Sequence, residues 1–98
     1  MSQQAAREWL RTHPVPPGGT GAFSDWRAEV ADLPEAWLPS VVAALADEDF
    51  AVQYAALIAL REHGYDAVGE GFGQTLTYRV VSPKGEELVI KPSVAGEQ

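Results

Sequence analysis

The chain has no cysteine among its 98 residues, only two histidines, and seven basic residues against fourteen acidic ones. Without thiols it has no disulfide framework and no thiolate metal site. His13 and His63 stand fifty positions apart, with no HExxH-type partner near either. Metal binding and nucleophilic catalysis therefore have no positive signal, and satisfied surface histidines are expected. The N-terminal MSQQAAREWLRTH lacks the apolar core of about seven residues that marks a secretory leader. No stretch approaches the ~20 apolar residues of a membrane-crossing helix. The expectation is a cytoplasmic protein without membrane contact, cofactor or metal.

The shortage of cations is local. Residues 1–24 carry Arg7, Arg11 and Glu8, a balance of +1, whereas residues 25–70 carry ten acids against Arg27 and Arg61, a balance of -8. The remainder balances to zero, giving the net -7. Nucleic-acid affinity rests largely on Lys and Arg neutralising phosphates, so an acidic middle disfavours that partner and favours a basic protein surface.

What is present is enough for one compact domain. The hydrophobic fraction is 46%, and a chain this size buries somewhat over ~60% of its unfolded surface. Residues 1–64 read as a helical part interrupted by a flexible loop at 14–21, residues 65–92 as a β part, and 93–98 as a tail. Ser2 caps a first helix to about Thr12, with Ala5, Ala6, Trp9 and Leu10 as its apolar stripe and Arg7 and Arg11 turned to solvent. PVPPGGTG then stops it. Helical structure restarts with Ser24 as N-cap, with Phe23, Trp26 and Val30 as apolar contacts. A short turn at 34–37 leads to a helix from about Pro39 to Ala46 that points Val41, Val42 and Leu45 inward.

Asp49 is placed to cap a helix from Phe50, and Gly64 supplies its left-handed stop. The run AALIAL makes this helix apolar on nearly every side, which implies cover from two directions. After Gly64 the period becomes alternating. In TLTYRVV, residues Leu76, Tyr78 and Val80 share one side, and SPKGE fits a type I turn with Gly85 in a bulge. That turn pairs Val80 with Leu88 and Tyr78 with Ile90, puts Leu76 opposite Pro92, and leaves Thr77, Arg79, Glu87 and Lys91 on a polar face. A third strand at about 66–71 would join through GFGQ. The fold class is α+β: three to four helices, then a hairpin or three-stranded meander packed on the last helix.

The segment 38–64 resembles one repeat of the HEAT family, two antiparallel helices joined by an acidic turn. The likeness rests on Leu38, Pro39 and Leu45, on Asp47 and Asp49, and on Val52, Ala55, Ala56, Ala59 and Leu60. It departs at Gln53, where the family commonly has arginine, and no second unit follows at a period of about 40 residues. The resemblance implies protein-binding scaffolding and brings no catalytic residues with it.

Other chemistry is weak. The glycines at 69, 71 and 73 lie after a helix and before a strand, the reverse of a phosphate-cradling loop, so a turn or bulge is expected. GGTG at 18–21 lacks a Walker lysine. The acids at 47–49 lack an EF-hand spacing and read as capping residues. Trp9, Trp26 and Trp37 all fall in the helical part. Core packing accounts for at least two of them, and one left exposed near Asp47 and Glu48 would be a partner-binding anchor.

These features lead to a non-enzymatic protein–protein interaction module, acting on a basic partner or by self-association. A winged-helix nucleic-acid binder is the alternative, because helices followed by a hairpin bearing Arg79, Lys84 and Lys91 match that order. An acidic inhibitor or antitoxin-like protein is the third reading.

Overall fold

The computed structural model describes residues 2–71 and 75–92. Four α-helices precede a three-stranded antiparallel sheet: α1 Ser2–Thr12, α2 Gly21–Ala31, α3 Leu38–Ala43, α4 Phe50–Glu62, β1 Asp66–Glu70, β2 Thr77–Val81 and β3 Glu87–Ile90. Single 3-10 turns at Glu35–Trp37 and Ala44–Ala46 flank α3. The fold is α+β, with strand order β1-β2-β3.

Local chemistry explains the boundaries of α4. Asp49 is extended at φ -86° and ψ 115°, and its carboxylate accepts from the Ala51 amide, satisfying one of the helix's orphan donors. At the other end Gly64 takes φ +87°. The Tyr65 amide donates to Leu60 O at 3.0 Å and the Gly64 amide to Arg61 O at 3.1 Å, the paired bonds of a Schellman stop. Glycine is needed there because a Cβ disfavours the left-handed region.

Helix α4 is the central layer. It touches α1, α2 and α3 on one side and β1 on another. Val52, Ala55, Ala56, Leu57, Ala59 and Leu60 are buried on it, meeting Leu10, Val30 and Val41 from the helices and Ala67, Tyr78 and Val80 from the sheet. Full burial of each Val or Leu contributes about 1.5–3 kcal/mol, so this layer carries much of the fold's stabilisation. Three buried alanines on α4, Ala55, Ala56 and Ala59, let its neighbours approach closely.

The hairpin register is as its turn requires: Val80 pairs with Leu88 and Tyr78 with Ile90. Gly85 has φ +92°, its amide reaches Ser82 O at 2.8 Å, and the Ser82 amide reaches Glu86 O at 2.8 Å. β1 adds the third strand, with Ala67 opposite Val80 and Gly69 opposite Tyr78. Gly69 thus lies inside a strand, where a Cβ would stand 3.0 Å from the Tyr78 ring.

Several expectations need correction. Helix α2 starts at Gly21 and its cap is Thr20, whose hydroxyl accepts from the Phe23 amide at 3.1 Å, so Ser24 is an exposed helical residue. Ala5 is exposed, and the stripe of α1 is Ala6, Leu10 and half-buried Trp9. Arg7 turns to Asp47 rather than to solvent alone. Leu88 shares the helix-facing side of the sheet yet remains 55% exposed, because α3 and α4 do not extend over β3. The side chain of Ser2, the connection through Phe72, Gly73 and Gln74, and the tail 93–98 lie outside the described residues.

Candidate interaction surface

The turn between α3 and α4 is built from three acids with three different fates. Asp47 is 5% exposed. One carboxylate oxygen accepts from Arg7 of α1, and the other accepts from the Asp49 amide at 2.8 Å. Burial pushes its pKa up. The Arg7 hydrogen bond, the Asp49 amide and the charges of Arg7 and Arg11 outweigh that, so the carboxyl lies below its ordinary value. Asp49 caps α4, and Glu48 alone points freely into solvent.

Gln53 extends the same network inward. Its Nε2 donates to Asp47 O at 2.6 Å and its Oε1 accepts from the Tyr78 hydroxyl at 2.9 Å. Gln53 is 4% exposed, and no buried side-chain polar atom among the described residues lacks a partner. The residue at which the chain departs from the HEAT pattern thus fastens the acidic turn to the sheet. Buried polar groups in an apolar layer are tolerated only when each is bonded in this way.

Beyond the turn, α4 presents Phe50 at 63% exposure and Tyr54 at 43%, stacked at 6.3 Å between ring centroids. Ala51 is exposed beside them, and half-buried Ile58 follows one turn after Tyr54. Positions 50, 54 and 58 form a stripe at i, i+4 spacing that is open at Phe50 and Tyr54 and closes at Ile58, which packs partly against the core. A second apolar opening lies between α3 and the hairpin, an open groove of about 430 Å³ lined by Pro39, Val42, Tyr65, Val80 and Leu88.

The tryptophans are placed differently. Trp26 is buried, and its indole Nε1 donates to His13 O at 2.7 Å. Trp9 is half-buried and stacks on the His13 ring at 4.2 Å, with Trp26 at 6.2 Å. This cluster ties the end of α1 to α2 across the proline-rich loop, whose Val15 also packs against the core. Trp37 is half-buried against the same core. His63 bonds Val30 O at 2.8 Å. Of the five residues singled out in the sequence, Glu48 is therefore the one fully presented beside the aromatic stripe, while Asp47 and Trp26 are engaged inside. Phe50 and Tyr54 were not singled out in the sequence, and their i, i+4 spacing with Ile58 is the signal that marks them.

Among the described residues no three His, Asp or Glu side chains converge as a metal site, and no helix is long and apolar enough to cross a membrane. Comparison with protein-family models, with curated proteins and with solved structures finds no match.

Proposed function

We propose that this small α+β domain is a protein–protein interaction module, with the exposed start of α4 as its contact surface for a basic partner. The observation that carries the reading is the Phe50–Tyr54 pair standing in solvent directly after Glu48 and Asp49. Aromatic side chains dominate binding hot spots because they bury large areas at low entropic cost. The preceding acids, within a segment of balance -8, match a cationic surface. The Arg7–Asp47–Gln53–Tyr78 network, buried from Asp47 inward, holds this end of α4 to both α1 and the sheet, so the aromatics are presented on a rigid support.

The winged-helix reading gains less. Arg79, its central hairpin cation, lies 3.4 Å from Glu87 and 3.8 Å from Glu70, so its charge is already opposed. Salt-dependent binding to duplex DNA would favour that alternative.

The test compares wild type with Phe50→Ala/Tyr54→Ala and Glu48→Lys in affinity capture, followed by titration of the captured protein. A basic partner whose binding weakens in both variants and with added salt is the expected result. Binding that ignores all three changes overturns the reading, as does turnover of a small molecule by a pure protein that captures no partner.

A further inference from the structure

The two edges of the sheet are treated differently. In an antiparallel ladder, opposed residues alternate between pairs that exchange backbone bonds and pairs that do not. The bond from the Ser82 amide to Glu86 O fixes the phase. Val80–Leu88 and Tyr78–Ile90 are then bonded pairs, and Glu87 and Val89 turn their amides and carbonyls away from β2, as does Lys91 by continuation. By the same phase Ala67 faces outward on β1, and there Arg61 Nε donates to Ala67 O at 2.9 Å, occupying one outward carbonyl of that edge. Among the described residues nothing caps the outward groups of Glu87, Val89 and Lys91. Val89 is 63% exposed.

The edge reads ELVIK over 87–91. The geometry points to a homodimer in which β3 pairs antiparallel with β3 of a second copy, centred on Val89. In that register Val89 meets Val89, Glu87 of each copy, which also lies 3.4 Å from its own Arg79, stands opposite Lys91 of the other, and Leu88 stands opposite Ile90. The charges oppose and the apolar residues meet on both faces, which is what stabilises cross-strand pairs. Val89 exchanges backbone bonds with its symmetry mate, and Glu87 with Lys91 of the second copy, so the open groups are satisfied reciprocally. A two-fold of this kind lies perpendicular to the sheet and keeps both helical layers on one side. Leu88, left bare because α3 and α4 stop short of β3, gains its cover from Ile90 of the second copy. A two-fold contact of this kind uses the same β3 edge of both copies, so the assembly closes at two rather than growing as a fibre.

Surface and occupant here differ from those of the α4 contact, so the two readings fail separately. Sedimentation equilibrium of wild type is expected to show a concentration-dependent dimer. Val89→Pro deletes an outward amide without touching the bonded pairs to β2, and is expected to be monomeric with an unchanged circular dichroism spectrum. Glu87→Lys and Lys91→Glu alone each place like charges opposite one another twice, and should weaken dimerisation about tenfold. The double swap Glu87→Lys/Lys91→Glu should recover dimerisation relative to either single variant, though not fully, because the new lysine meets Arg79 within its own copy; this comparison decides the matter if the proline variant does not fold. A wild type that remains monomeric at all concentrations, a folded Val89→Pro that still dimerises, or a double swap no better than the single variants overturns the proposal.

Discussion

The Tyr78 hydroxyl on β2 donates to Gln53 Oε1 on α4 at 2.9 Å, so the sheet is bolted to the central helix by a buried polar bond as well as by apolar contact. Tyr78→Phe strands the Gln53 oxygen and is expected to cost about 1–3 kcal/mol in urea denaturation. Adding Gln53→Leu should cost less than the two single changes summed, because the Tyr78–Gln53 bond is then lost only once, although Asp47 O still loses the Gln53 Nε2 donor. Burial also raises the Tyr78 pKa. The unfolded chain then ionises first above about pH 10, so stability falls as pH rises beyond that point, and Tyr78→Phe should flatten the alkaline limb.

Asp47 gives the opposite limb. Its carboxyl is held below the ordinary value, so its contribution is present above about pH 4 and is lost as pH falls through the lower folded-state value. Arg7→Ala should flatten the loss of stability on acidification. At neutral pH it should cost about 1–2 kcal/mol, toward the low end for a charged hydrogen bond, because Arg7 is 38% exposed and partly screened. Denaturation midpoints measured across pH check both points.

Two neighbours on α4 should respond unequally. Leu57 is buried and Ile58 only half-buried. Leu57→Asp places an unpaired charge inside the layer and is expected to abolish cooperative unfolding. Ile58→Asp leaves room for the carboxylate to reach water, and is expected to lower the melting temperature without unfolding the chain at room temperature.

Gly69 lies against the Tyr78 ring, so Gly69→Val should displace that ring and break its bond to Gln53. A loss of about 1–3 kcal/mol is expected from overpacking. In a Tyr78→Phe background the penalty should shrink, since the hydrogen bond is already absent. Thermal melts of the four combinations measure the coupling.

What the sequence determined by itself is what short-range physics controls. The Asp49 cap and the Gly64 stop bound α4, and SPKGE set the pairing of Val80 with Leu88 and Tyr78 with Ile90, because each depends on a few adjacent dihedrals and one or two backbone bonds. The choice of Thr20 over Ser24 was not legible, because both are competent caps and the loop's path, fixed by Trp26 bonding His13 O, decided where α2 begins. Tertiary placement alone decided exposure. Phe50 and Leu57 are equally apolar in the sequence, and only the limited span of the neighbouring layers leaves the first in solvent and buries the second. Asp47 and Glu48 read alike as capping acids until Arg7, 40 positions earlier, neutralised one of them. Burial is a property of what lies across the core, and the chain specifies that only when α1, α4 and β2 have come together.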